Sequence, residues 1–163
     1  MSKHSTTYKH LSWEDIEKSC LSIYSQMCHE HYRPESIIGL LRGGTVPARI
    51  FSDYYDIFLD FFSLDVKLYA GINKRNSEPH IKKFYGDVKG KKILIVDDIW
   101  DSGKTMQAVL KYLKGEDITT TTLFWKEDAK KKPDYYAEVA KKKEWIVFAW
   151  ERYEFWRNIN GKS

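Results

Sequence analysis

Apolar positions recur along the chain with two spacings, one typical of helices and one typical of strands. Residues 13–31 carry apolar side chains three and four positions apart, which predicts a helix with one apolar face, and residues 104–114 repeat that pattern. Short apolar or β-branched runs predict strands at residues 36–41, 57–69, 81–85, 92–96, 118–125 and 145–150. The residues from Pro133 to Ala140 are interpreted as a short helix.

Capping signals support two of the predicted helices. Ser12 followed by Asp15 matches a capping box before the first helix. Thr45, with Pro47 two positions later, predicts the N-cap of another helix. Because helices and strands alternate, we expect an α/β fold with a mainly parallel central sheet flanked by helices, as a single domain over residues 1–163.

Composition excludes some classes of protein but does not identify the function. A hydrophobic share of 42% and a charged share of 31% are typical of a globular domain and exclude general disorder. The net charge of +4 is compatible with nucleic acid, an anionic membrane surface or a phosphorylated small molecule, but a modest lysine excess usually reflects a solvated surface. No apolar run approaches the about 18 residues of a membrane-spanning helix, so we expect no membrane partner.

Cysteine usage and the first residues of the chain indicate a cytoplasmic protein. The only cysteines are Cys20 and Cys28, which is typical of a reducing compartment and does not suggest a disulfide scaffold. Residues 1–4 are polar and lack the apolar segment of an export signal. We therefore expect a cytoplasmic location.

The strongest chemical signal lies in residues 93–105. An apolar strand ends in the acidic pair Asp97 and Asp98, and open α/β sheets bind ligands at the carboxyl ends of their strands. Asp101 follows, and residues 102–105 lead into a helix whose first N–H groups suit a phosphate monoester. Crowded carboxylates without a basic partner in the same loop repel one another unless a metal or ligand relieves them, which disfavours a purely structural role.

Gly103, Lys104 and Thr105 also match the end of a P-loop, but that motif is excluded. A P-loop requires a glycine five positions before Gly103, and position 98 is Asp. A carboxylate at this position would repel the phosphates that a P-loop binds.

The acidic pair and the loop after it resemble the phosphoribosyl pyrophosphate (PRPP) motif of the type I phosphoribosyltransferases. The resemblance covers residues 36–157. An Asp at position 101 is similar to the pattern of the branch that acts on the 6-oxopurines hypoxanthine, guanine and xanthine. It implies the family's fold, with a small hood formed by the chain ends. The implied activity is transfer of a 5-phosphoribosyl group from PRPP to N9 of a 6-oxopurine with release of pyrophosphate. Mg²⁺ as cofactor and a homodimer or homotetramer are further implications.

The same resemblance implies a role for each matching residue. Asp101 is the expected catalytic residue, which accepts or donates the proton at purine N7. The loop at Arg42 is expected to bind pyrophosphate next to a cis Leu41–Arg42 peptide. PRPP is expected to contact Arg42, Gly43, Asp97, Asp98, Ile99, Trp100, Asp101, Ser102, Gly103, Lys104, Thr105 and Arg157. The purine is expected to contact Lys126, Trp145, Ile146 and Glu151, and the metal Asp98 and Glu151.

Several of these positions carry more specific expectations. Lys126 is expected to donate to the purine 6-oxygen, and Trp145 to stack on the base. The loop at residues 70–80 is expected to close over the site and exclude water. Two residues depart from the family pattern: Trp100 is bulky where the family mostly has a small aliphatic residue, and Ala149 stands where bacterial and archaeal relatives often have proline.

Two other functions remain open. A pyrimidine could replace the purine, although Lys126 and Trp145 favour a purine. A regulator with the same fold could sense PRPP or a nucleotide and bind nucleic acid. The lysine runs at residues 130–132 and 141–143 permit such a regulator, whereas the retained Asp101 argues against it. We therefore expect PRPP and a 6-oxopurine as partners and do not expect nucleic acid.

Overall fold

A six-stranded sheet forms the centre of the molecule within residues 6–55, 59–68 and 79–161, the ranges that the computed structural model describes. The strands of the chain are β1 (Thr7–His10), β2 (Ser36–Leu41), β3 (Asp60–Leu68), β4 (Pro79–Ile81), β5 (Lys92–Trp100), β6 (Asp117–Lys126), β7 (Tyr135–Ala140) and β8 (Glu144–Val147). The order across the large sheet is β4-β3-β2-β5-β6-β7, and each neighbouring pair is parallel except β3 and β4. The predicted mainly parallel α/β sheet is confirmed.

Helices flank this sheet on both faces. α1 (Trp13–His29) and α2 (Thr45–Tyr54) cover one face and α3 (Lys104–Tyr112) covers the other, whereas a 3₁₀ turn at Ala149–Glu151 and α4 (Arg152–Asn160) follow the last strand. The predicted capping box opens α1, where the Asp15 N–H donates to Ser12 Oγ at 3.1 Å and the Ser12 N–H donates to Asp15 Oδ2 at 2.8 Å. Within the described ranges, no helix is both long enough and apolar enough to cross a bilayer.

Two apolar clusters, one on each face of the sheet, form the core. Because side chains alternate along a strand, Leu94 and Val96 of β5 join the cluster under α1 and α2, whereas Ile93 and Ile95 join the cluster under α3. Both faces of β5 are thus covered, which explains its uninterrupted apolar run. After Lys92, the polar residues of this strand are the acidic pair Asp97 and Asp98 toward its carboxyl end.

The two ends of the chain form the predicted hood. β1 pairs in parallel with β8, and Tyr8 lies opposite Trp145 in this two-stranded sheet. α4 follows on the same side of the molecule, and the Phe155 ring contacts Tyr8 and His10 edge-on with centroid distances of 5.1 Å. The hood therefore joins segments that are far apart in sequence.

The prediction of a helix from Pro133 to Ala140 is wrong. This segment contains β7, which pairs with β6 and places Tyr135 opposite Thr121. Its six residues are too few for helical spacing to be distinguished from strand alternation. The open edge of β6 supplies backbone partners, which decides in favour of a strand.

The bounds of other predicted elements also change. β5 continues beyond Val96 through the acidic pair to Trp100, whereas the last predicted strand ends at Val147 and belongs to the hood. The strand predicted at residues 81–85 is instead the short β4. The N-cap of α2 is Gly44 rather than Thr45, and a Cβ on Gly44 would lie 2.3 Å from the Val96 carbonyl oxygen. Residues 70–78 of the predicted covering loop lie outside the described residues.

Candidate active site

The predicted site residues meet where three parallel strands end. β2 ends at Leu41 and turns through Arg42, β5 carries the acidic pair near its end, and β6 ends at Lys126. Because β5 lies between β2 and β6, its carboxylates stand at the centre of this edge. The sheet order therefore gathers segments that the sequence separates widely.

The turn after β2 packs directly on the acidic pair. The Leu41–Arg42 peptide is cis, as predicted. A Cβ on Gly43 would lie 1.7 Å from Asp98 Oδ2 and 2.5 Å from Asp98 Cγ. Position 43 therefore has no room for a side chain, and its backbone borders the carboxylate that the family resemblance assigns to the metal.

Burial raises the pKa values of Asp97 and Asp98. For Asp97, loss of water is the largest cause and the negative charge of Asp98 adds to it. Backbone donors partly offset the effect on Asp98, since the Ile99 N–H donates to Asp98 Oδ1 at 2.8 Å. The pKa of Glu151 is also raised, first by burial and then by the charge of Asp98.

This donor set fits a divalent cation. Asp98 and Glu151 line the same cavity and disfavour each other's negative charge, and carboxylate oxygens are the ligands that Mg²⁺ prefers. Among the described residues, no group of three or more His, Cys, Asp or Glu side chains forms a cation cage. A cation at this point would therefore need substrate or water oxygens as further ligands.

A cavity of about 500 Å³ opens beside the acidic pair, and it is called the base cavity below. Its lining includes the predicted residues Asp98, Ile99, Asp101, Lys126, Trp145, Ile146 and Glu151, together with Thr6, Lys142, Lys143, Glu144 and Phe148. The Trp145 side chain is 58% exposed and free to face a planar ligand, whereas Phe148 is buried and stacks on Trp150 at a centroid distance of 4.8 Å.

Lys126 is bound to backbone carbonyls within this cavity. Its Nζ donates to the carbonyl oxygens of Lys141 at 3.1 Å and Lys142 at 3.5 Å, and to that of Glu144. An ammonium group has three donors, so these carbonyls use all of them. The predicted contact with a purine 6-oxygen requires one carbonyl to be exchanged, and it stays a prediction.

A smaller cavity of about 80 Å³, called the loop cavity below, lies at the start of α3. It is lined by Asp97, Ile99, Trp100, Asp101, Ser102, Gly103, Thr105, Met106 and Thr122. Gly103 has a φ of 78°, which turns the chain into α3, and the Lys104 N–H approaches Ser102 Oγ at 3.4 Å. The start of α3 thus lines this cavity, and the first N–H groups of a helix favour an anion.

The predicted arginines lie outside both cavities. Arg42 Nη2 donates to Glu154 Oε2 at 2.9 Å and so joins the turn after β2 to α4. Arg157 is exposed on α4 and is not among the residues that line the base cavity or the loop cavity. Its contact with pyrophosphate stays a prediction.

Residues from the chain ends were missed as cavity lining. Thr6 reaches the base cavity because β1 pairs with β8, and residues 142–144 reach it because they form the turn before β8 and its first residue. No local sequence pattern indicates such a pairing between distant segments. Phe148, in contrast, belongs to the apolar run at residues 145–150, and that run could have identified it.

Known proteins resemble this chain in both sequence and fold. The sequence model of a family described as "Phosphoribosyl transferase domain" matches residues 11–154. A xanthine-guanine phosphoribosyltransferase of Cereibacter sphaeroides is 30% identical, over 87% of this chain and 86% of that protein. A hypoxanthine-guanine phosphoribosyltransferase of Staphylococcus aureus is 26% identical, over 91% of this chain and 88% of that protein. The crystal structure of a purine phosphoribosyltransferase from Pyrococcus horikoshii has a TM-score of 0.74 at 32% identity, covering 88% of this chain and 93% of that chain.

Proposed function

This chain belongs to the phosphoribosyl transferase domain family, and on that premise we propose that it transfers the 5-phosphoribosyl group from PRPP to N9 of a 6-oxopurine and releases pyrophosphate. The observation that carries the proposal is the juxtaposition of the acidic pair, Asp101 and the loop cavity with the aromatic base cavity. The names of the relatives, which refer to xanthine, guanine and hypoxanthine, support a 6-oxopurine as acceptor.

The first requirement of this reaction is control of the leaving group. Breaking the bond between ribose C1 and pyrophosphate leaves positive charge on the sugar and negative charge on the leaving group. Arg42 and the backbone at Gly43 bind the pyrophosphate, while Asp97 and Asp98 accept hydrogen bonds from the ribose hydroxyls. Asp98 and Glu151 would hold Mg²⁺ together with substrate oxygens, and the bound ion supplies charge neutralisation at the pyrophosphate.

The second requirement is a positioned acceptor. Trp145 stacks on the purine, and backbone groups of Ile146 and Glu151 bind its edge. Lys126 selects a 6-oxo over a 6-amino group, because an ammonium group only donates hydrogen bonds. Asp101, an exposed side chain in the base cavity, holds the proton of purine N7 as general base or acid. The family resemblance further supports a cytoplasmic location and a homodimer or homotetramer.

A base-selectivity assay tests the function. Protein, Mg²⁺ and PRPP are mixed separately with hypoxanthine, guanine, xanthine, adenine and uracil, and nucleotide formation is followed, with chelated Mg²⁺ as a blank. We expect turnover with at least one 6-oxopurine and its loss on chelation. Asp101→Ala is expected to lower turnover by about 10²-fold or more while PRPP still binds.

Other results of this assay would contradict the proposed function or indicate a different one. Absence of turnover with every 6-oxopurine would overturn the proposal, and turnover with uracil alone would establish a pyrimidine as acceptor. Binding to nucleic acid that weakens steeply with salt, in the absence of any turnover, would identify a regulator instead.

A further inference from the structure

The Trp100 side chain places a hydrogen-bond donor under the loop at the start of α3. Trp100 is the last residue of β5, is only 4% exposed and packs among the apolar residues on the α3 side of the sheet. Its Nε1 is fully buried and has no hydrogen-bond partner in the part of the chain that the structure describes. A buried N–H without an acceptor is unfavourable, so a ligand that supplies an acceptor for this donor would be stabilised.

The unpartnered edge of the indole contacts the turn into α3. A Cβ on Gly103 would lie 2.4 Å from Trp100 Nε1 and 2.8 Å from Trp100 Cε2, so the Nε1 edge lies directly against the Gly103 backbone. Trp100 also lines the loop cavity together with Ser102, Gly103 and Thr105. Trp100 and the residues at the start of α3 thus line the same small cavity, and the buried indole Nε1 lies directly behind its Gly103 wall.

The loop cavity can hold an anion only if strong hydrogen-bond donors face it. Asp97 and Asp101 line the same cavity, so an anion can bind there only if donors outweigh these carboxylates. An indole N–H donates and cannot accept, which suits a phosphate oxygen. A volume of about 80 Å³ has room for one phosphate group.

We propose that the indole N–H of Trp100 donates a hydrogen bond to the 5-phosphate of the substrate. This inference rests on the proposed function, since it adds a side-chain donor to a loop expected to bind that phosphate through its backbone. It gives a role to the bulky residue that departs from the family pattern. It also couples Trp100 to Gly103, because any side chain at position 103 would collide with the ring.

A pair of ligands that differ only in the phosphate tests this hydrogen bond. Ribose 5-phosphate and ribose are titrated into the ¹⁵N-labelled full chain, and the indole N–H signals of its six tryptophans are followed. The Trp100 signal, identified as the one that remains in Trp→Phe variants of each of the other five tryptophans, is expected to shift with ribose 5-phosphate and not with ribose. Because this measurement uses the unaltered protein, it decides the matter even if the variant fails to fold.

The variant adds a quantitative test with a matched control. Trp100→Phe is expected to weaken binding of ribose 5-phosphate by about tenfold, the effect of losing a hydrogen bond to a charged group, and to leave pyrophosphate binding unchanged. Trp125→Phe is the control, because Trp125 lies opposite Trp100 on β6 and its indole N–H donates instead to the Lys131 carbonyl at 3.1 Å. Its removal is expected to leave the affinity for both ligands unchanged.

The outcomes separate this inference from the proposed function. An unmoved Trp100 signal at saturating ribose 5-phosphate, or wild-type affinity in a folded Trp100→Phe variant, would refute the hydrogen bond even if PRPP and a 6-oxopurine are turned over. A shifted Trp100 signal without turnover would sustain the hydrogen bond and overturn the transferase proposal.

Discussion

Gly43 and Asp98 touch across the edge of the sheet, and this contact limits what either position can carry. The Asp98 carboxylate occupies the space where a side chain at position 43 would lie, since a Cβ there would be 1.7 Å from Asp98 Oδ2. The Asp98 carboxylate cannot withdraw freely, since the Ile99 N–H donates to its Oδ1 at 2.8 Å. A single atom added at Gly43 must therefore move the carboxylate or the turn.

The variant Gly43→Ala is expected to lower kcat/KM for PRPP by about 10²-fold, since displacement of a reacting group by about 1 Å costs that much. Steady-state kinetics and a thermal melt measured on the same preparation check this. Gly90→Ala is the control: Gly90 has a φ of +72° and nothing within 4 Å of its Cβ position, so it should lose stability without losing activity. Wild-type kcat/KM in Gly43→Ala would contradict this prediction, because it would show that the turn accommodates a methyl group without displacing the Asp98 carboxylate.

At the scale of elements, α4 is held by few contacts. None of its residues is buried, and its contacts run through the Phe155 ring and through the ion pair between Glu154 and Arg42. Arg42 is also the residue proposed to bind pyrophosphate. If that proposal holds, Glu154 and pyrophosphate would compete for the same guanidinium group.

Removal of this competitor is expected to strengthen pyrophosphate binding. Glu154→Gln should lower the Kd for pyrophosphate by about two- to fivefold, because exposed ion pairs are weak and the released arginine is free for the ligand. Calorimetric titration measures the change. Glu14→Gln breaks another exposed pair, Glu14 with Lys18, and should leave the Kd unchanged. Weaker binding in Glu154→Gln would instead show that Glu154 holds Arg42 in its binding position.

At the scale of the whole molecule, packing of α1 on the sheet places the two cysteines in different environments. Cys20 is fully buried in the cluster under α1 and α2, and burial raises the pKa of its thiol to about 12. Cys28 lies on the same helix but is exposed. The reactivity of the thiols therefore reports on whether this core is closed.

A thiol reagent at neutral pH is expected to label Cys28 quickly and Cys20 only after unfolding. The same burial predicts an alkaline instability, because the unfolded thiol ionises near 9.0 whereas the folded thiol keeps its proton to about 12. The free energy of unfolding should thus fall as the pH rises through that range, as denaturant melts at several pH values would measure. Rapid labelling of both cysteines in the folded protein would contradict the closed core.

The sequence by itself was sufficient to predict the features that depend on neighbouring residues along the chain. The apolar run of β5, its acidic pair and the helix after residue 103 were predicted together, because a buried strand and a helix start each have strong local signals. The capping box at Ser12 and the alternation of helices and strands were also predictable for this reason. These features were sufficient to indicate an α/β fold with an anion site after β5.

Only the tertiary structure decided which distant segments meet. The pairing of β1 with β8, the strand character of β7 and the three carbonyls around Lys126 all depend on partners far away in sequence, which leave no local pattern. The same is true of the contact between Gly43 and Asp98 and of the unpartnered indole N–H of Trp100. Backbone hydrogen bonding and close packing between distant segments select these arrangements, so they emerge only when the sheet is assembled.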